Sequence, residues 1–170
     1  MVMAWVMSAQ ADPLSGFGVV RPKVNKPAPA FSLVGLDGLR HRLSDYRGKA
    51  VILHFWATWC TACRHEMPQL AALQKQHESD LAVVGINVDR GNRAGVVRFM
   101  EQIHVDFPCL LDATGEVRNR YHIRALPTSY LIGRDGRFVG RMIGGRDWRS
   151  PAAGKLIDDL MHPKEVNDDE

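Results

Sequence analysis

The run "AVILHFWA", Ala50–Ala57, leads through Thr58 and Trp59 directly into Cys60-Thr61-Ala62-Cys63, and the helical pattern "RHEMPQLAALQKQH" follows at once. This juxtaposition leaves the chain few folds to choose from. A near-continuous apolar stretch of that length reads as a central strand buried on both faces, which requires a sheet covered by helices on either side. The helix expected from about Cys60 to His77 supplies one of those covers. Pro68 falls inside it, where its ring removes a donor and should bend the axis.

The rest of the chain extends the same pattern. "LAVVGINVD", Leu81–Asp89, reads as a second buried strand, and Asn92 can cap a helix running to about His104. "YLIGRDGRFVGRMI" reads as a hairpin turning at Asp135-Gly136. Ser150-Pro151 places a capping hydroxyl before a proline at the first helical position, which opens a last helix. Upstream, "AFSLVGLDG" and His41–Leu43 read as two short strands, with Ser44–Gly48 as punctuation. The fold class expected is α/β, with a mixed sheet flanked by helices. Its domain spans residues 28–162, after an apolar leader remnant and linker at 1–27 and before a disordered charged tail at 163–170. The linker reading rests on the Pro-, Gly- and Lys-rich stretch from Pro13 to Pro29.

A chain of 170 residues buries enough surface to need no covalent staples. Its three cysteines do not form a disulfide framework, and the loop closed by Cys60 and Cys63 is too short to stabilise much through chain entropy. Chemistry explains the pair better. A cysteine opening a helix meets unpaired backbone N–H groups and the positive end of the helix dipole, both of which favour the thiolate. Cys60 is therefore read as the nucleophile, and Cys63, one turn on, as the thiol that resolves a mixed disulfide. Trp59 should shield the pair while leaving the Cys60 sulfur exposed. The competing readings are a half zinc site and a chance buried pair. Structural zinc takes four ligands, and only one C-x-x-C is present; His54 lies on the strand and His65 points elsewhere on the helix, so no metal site is expected. The net charge of +3 and the scattered basic residues do not mark a nucleic-acid footprint, and Arg134, Arg137, Arg141, Arg146 and Arg149 are read as a solvated face.

"FWATWCTACRHEMPQL" resembles the active-site segment of the thioredoxin superfamily, and more narrowly of the TlpA/ResA/CcmG(DsbE)-like bacterial thiol–disulfide oxidoreductases. "PAPAFSLVGLDGLRHRLSDYRGKAVILHFWATWC", "FPCLLDATGEVRNRYHIRALPTSYLIGRDGRFVGRMIGG" and "DWRSP" extend the resemblance in order over roughly Ala28 to Met161. It implies a thioredoxin-like fold with an added N-terminal β-hairpin, matching Phe31–Leu43. It implies disulfide exchange with protein substrates through Cys60–Cys63, without a further cofactor, in a monomer. The direction implied is reduction in the periplasm or another extracytoplasmic compartment, in a pathway like cytochrome c maturation, with electrons from a membrane thiol donor. The apolar start Met1–Met7 and the small-x-small triplet Ala9-Gln10-Ala11 fit an export signal shortened at its start, against a plain apolar N-terminus and a cytoplasmic protein.

The resemblance also implies roles for single residues. Leu126-Pro127 is the family's cis-proline step, presenting the Ala125 backbone to a bound peptide, with Thr128 beside it; residues alone leave Pro127 equally readable as a trans proline at a strand start. Glu66 matches an acid that tunes thiol ionisation, the alternative being an exposed helix glutamate. His54 stands where thioredoxin has a buried acid; a hydrogen-bonded core imidazole is preferred there over a proton relay to Cys63. Cys109 is read as a buried small hydrophobe rather than a third redox thiol. Two other functions stay open: a copper-binding module of the same fold, and a thiol peroxidase, which expects threonine where Ala57 stands.

Overall fold

The computed structural model describes residues 16–163. The leader reading of the first residues and nearly all of the charged-tail reading fall outside them. Ala50–Trp56 forms strand β3, and every one of its residues is buried. Strand β4, Leu81–Asn87, is buried throughout as well and runs parallel to it, from Ala50 opposite Leu81 to Trp56 opposite Asn87. Parallel neighbours need a crossover, and helix α1, Thr61–Gln76, provides it. A second crossover, helix α2 at Arg93–Gln102, leads to strand β5, Cys109–Leu111. The helix α3, Glu116–Arg120, precedes the antiparallel strands β6, Thr128–Ile132, and β7, Phe138–Ile143, and helix α4, Pro151–Met161, closes the domain. The sheet order is β5-β4-β3-β6-β7. Strands β1, Ser32–Val34, and β2, Arg40–Arg42, form a separate antiparallel hairpin. This is the thioredoxin-like fold with its added hairpin.

Two successive parallel crossovers in one direction, both right-handed, put α1 and α2 on the same face of the sheet. Arg64 of α1 accordingly lies over the ring of Phe99 of α2, at 4.6 Å. Side chains alternate across a strand, so His54 and Trp56 face these helices, while Phe55 faces the other layer and meets Tyr121 and Tyr130. The pairing aligns Ser129, His54, Gly85 and Cys109 in one row across the sheet. Gly85 is needed in that row, because a Cβ there would stand 2.9 Å from the Phe107 ring and 3.0 Å from the Trp56 indole nitrogen.

The expected local signals operate as read. Asn92 accepts from the Gly95 N–H, Ser150 accepts from the Ala153 N–H, and Gly136 carries the positive φ of its turn, +76°. Helix α1 continues through Pro68, which has no N–H to offer the Arg64 carbonyl. Ser44–Tyr46, read as punctuation, form a turn of 3-10 helix together with Leu43, which was expected to end the second strand. Strand β5 and helix α3 have no counterpart in the sequence reading, since three and five residues are too few to establish a period.

Two readings are corrected. Residues 16–27, taken for linker, pack against the domain: Phe17 and Val19 are buried in the core, and Val20 exchanges two backbone hydrogen bonds with Arg141, each 2.9 Å. The edge strand β7 offers unpaired N–H and C=O groups, and this segment covers them. Gly140 makes room, because a Cβ there would collide with Val19. The five arginines taken for a solvated face are also not all free. Arg134 bonds the Gly48 carbonyl and pairs with Asp80 at 2.8 Å, and Arg146 bonds the Phe17 carbonyl.

Candidate active site

Cys60 is the N-cap of α1, with φ −88° and ψ 104°, an extended residue at the point where the helix begins. Its Sγ accepts a hydrogen bond from the Cys63 N–H at 3.3 Å and is bonded to the Cys63 sulfur. The same N–H group is in place to stabilise negative charge on that sulfur once the disulfide opens, as the positive end of the helix dipole does. Cys63 is fully enclosed, whereas Cys60 keeps 7 % of its surface. Cys60 is thus the more accessible residue of the two, though far less open than the sequence suggests. Trp59 does not fold over the pair. It is 72 % exposed and stands beside it as a free apolar surface. Behind the turn, the Asp89 carboxylate accepts from the Thr58 N–H at 3.0 Å and from the Asn87 side chain at 3.0 Å, fixing the approach to Cys60. That fastening joins residues far apart in the chain and had no signal in the sequence.

Glu66 lies one turn beyond Cys63 and is buried rather than an exposed helix residue. Its Oε2 accepts from the Arg146 N–H at 2.8 Å and from the Trp148 indole N–H at 3.3 Å. Burial pushes the carboxyl up to about 7, against the opposing pull of those two donors and the Arg146 charge. The group therefore changes charge close to neutrality, where a proton acceptor for a thiol is most useful.

His54 is completely buried on β3. Its Nδ1 lies 3.0 Å from the Ser129 hydroxyl and 3.5 Å from Glu66 Oε1, and its Nε2 has no partner. Burial lowers the imidazole to about 3, so it is neutral at pH 7. The two ionisable groups behind the disulfide are both buried, and each is biased towards its uncharged form.

The Leu126–Pro127 bond is cis. Thr128 pairs with Phe55 in the sheet, so the proline sits at the end of the sheet from which β3 leads to Cys60. The Pro127 carbonyl accepts from the Gly144 N–H at 2.8 Å. Thr128 is buried, and its hydroxyl holds the Ala125 carbonyl at 2.8 Å; Ala125 itself is exposed and Leu126 half-buried. Cys109 lies apart from this group on β5, buried, and reduced. Its thiol is pushed up to about 12 by burial, and the nearby Trp56 indole N–H, which makes no hydrogen bond, offsets this only in part.

Comparison with known proteins bears on the family and the fold. The AhpC/TSA family profile matches residues 24–139. The thiol-disulfide oxidoreductase ResA of Geobacillus thermodenitrificans is 38% identical over 123 residues, covering 72% of this chain and 70% of that protein. A thiol:disulfide interchange protein of the thioredoxin family from Chlorobium tepidum superposes with a TM-score of 0.71 at 30% identity, covering 82% of this chain and 99% of that one. The exposed lipoprotein thioredoxin of Streptococcus pneumoniae superposes with a TM-score of 0.66 at 29% identity, over 78% of this chain and 100% of that one.

Proposed function

The chain belongs to the AhpC/TSA family and, with its ResA relatives, is a thiol–disulfide oxidoreductase; from this premise we propose that it reduces specific protein disulfides in the cell envelope through Cys60 and Cys63. The observation that carries the reading is the disulfide at the mouth of α1, with a donor already aimed at the Cys60 sulfur and a buried carboxyl one turn behind Cys63. The Cys60 thiolate attacks one sulfur of a substrate disulfide and the other leaves as a thiolate, which takes up a proton. Glu66 removes the Cys63 proton, the Cys63 sulfur attacks Sγ of Cys60, and the second substrate thiolate departs. The Cys60–Cys63 disulfide remains and is reduced again by a dithiol, which we assign to a membrane donor. In this scheme the substrate strand pairs with the backbone at Ala125–Leu126, beside cis Pro127, and the exposed Trp59 contributes apolar contact. Thr128 acts indirectly by holding the Ala125 carbonyl. His54 is assigned as a neutral core imidazole next to Glu66.

The envelope location is supported by the exposed-lipoprotein relative, and a role in cytochrome c maturation by the ResA and CcmG-like resemblance. A thiol peroxidase is less well supported, because Ala57 is buried and brings no hydroxyl to the site. The deciding measurement is the reduction potential of the pair against a dithiothreitol or glutathione series. A value at or below about −250 mV supports a reductant, and one near about −120 mV would make the protein an oxidant instead.

A further inference from the structure

The loop after β7 closes over Glu66, and it is tied down by a segment forty or more residues upstream of the cysteines in sequence. Trp148 gives its indole N–H to Glu66 and its backbone N–H to the Gln69 side chain, at 2.8 Å, so the loop spans one turn of α1. Phe17 holds this loop twice. Its ring meets the Trp148 indole edge-on, with 5.3 Å between centroids, and its carbonyl accepts from Arg146 Nε at 3.1 Å. Gly18 has a φ of +76°, and a Cβ there would lie 2.9 Å from the Arg146 guanidinium, so the contact depends on glycine at that position. Val19 and Val20 then fasten the segment to β7.

We propose that Phe17–Val20 is a strap that positions the Glu66 carboxyl through Arg146 and Trp148, and thereby sets the pH at which Cys63 gives up its proton. The inference rests on Glu66 being the proton acceptor for Cys63. Among the described residues, the charged or titratable groups around Glu66 are His54 from β3, Arg146 from the loop and Cys63 on its own helix. Of these, Arg146 is held by the Phe17 carbonyl, from outside the sheet and α1. Trp148 is 3 % exposed and forms part of the cover. Burial is the largest influence on the carboxyl, ahead of the two N–H donors. Releasing the strap admits water, so the carboxyl becomes more acidic. Removing the indole N–H while keeping the ring acts in the opposite direction.

Both signs can be measured on the full chain. The Glu66 titration is read by carbon NMR of the oxidised protein, and the pH dependence of resolution is read from thiol release by a preformed mixed disulfide on Cys60. Phe17→Ala should lower both midpoints by about one pH unit, Phe17→Leu by less, and Trp148→Phe should raise them by about half a unit. In a Glu66→Gln background, Phe17→Ala should leave the rate profile unchanged. An unmoved Glu66 titration in folded Phe17→Ala overturns the strap. A titration that moves while the rate profile does not overturns the role of Glu66 instead. A rate shift of the same size with Glu66→Gln present overturns the claim that the strap acts through this carboxyl.

Discussion

Cys60 and Cys109 are similarly enclosed, at 7 % and 4 % exposure, yet their surroundings suit opposite chemistry. Cys60 caps a helix and receives a backbone N–H, with further helix dipoles behind it. Cys109 sits within β5, where its own backbone groups are used in pairing and nothing charged opposes the cost of ionising it; its thiol is pushed up to about 12. Burial by itself suppresses a thiolate. What would favour one at Cys60, once the disulfide opens, is the direction of the peptide dipoles at a helix start, a feature of local backbone geometry rather than of depth. A buried cysteine is thus not inert because it is buried, but because nothing near it compensates for lost water.

The comparison is tested most severely by removing one thiol at a time. Cys60→Ser should lose disulfide reductase turnover by at least about 10³-fold, because a serine hydroxyl is scarcely ionised at neutral pH. Cys63→Ser should instead accumulate covalent adducts that dissolve in dithiothreitol, and mass spectrometry should place them on Cys60. Adducts found chiefly on Cys109 would reverse the contrast.

Glu66→Gln should slow resolution of a mixed disulfide on the order of 10²-fold above pH 7 and flatten its dependence on pH, while leaving the first attack by Cys60 nearly unchanged. Stopped-flow rates of the two steps separate these effects. Equal slowing of both would show that Glu66 supports the whole pair rather than Cys63.

Stability against pH sharpens the same point, because Glu66 and His54 oppose each other. The Glu66 carboxyl is raised from 4.5 to about 7 in the fold, so its contribution is complete below 4.5 and is lost as pH rises through 7. The His54 imidazole is lowered from 6.5 to about 3, so its contribution is complete above 6.5 and is lost as pH falls towards 3. Between about 4.5 and 6.5 the two slopes cancel in part, and urea midpoints of the wild-type protein should change little there. Glu66→Gln should expose the His54 slope, with stability falling by about 1–3 kcal/mol as pH drops from 6.5 to 4.5. A flat profile in that variant would remove His54 from the account.

The smallest effect is expected at Cys109. Cys109→Ala should keep turnover within about twofold and cost about 1 kcal/mol of stability from the vacated volume, as read by denaturant unfolding. Larger loss of turnover at unchanged stability would give that thiol a part in the chemistry.

Much of the architecture could be read along the chain. The apolar run at Ala50–Trp56, the cysteine at the helix mouth, the caps at Asn92 and Ser150 and the turn at Asp135-Gly136 each act within a few residues of themselves. Local backbone sterics and capping bonds fix such features wherever the segment lies, so strand, helix and the position of Cys60 followed from composition and spacing. The short elements β5 and α3 escaped because their residues take their form from neighbours rather than from a period of their own. The segment around Phe17 and Val19 escaped for a related reason. Proline and glycine made it look like linker, and its order comes from an unpaired edge of β7 and a hollow left by Gly140.

The same division runs through the site. The sequence placed Glu66 one turn from Cys63 but left open whether water surrounds it. That was decided by Arg146 and Trp148, some eighty residues away, and by Phe17 behind them. A carboxyl's affinity for its proton depends on the solvent and dipoles within a few ångströms of it, and those are assembled only when distant segments meet. The sequence by itself determined which atoms exchange the disulfide; tertiary packing determined the electrostatic surroundings in which they do so.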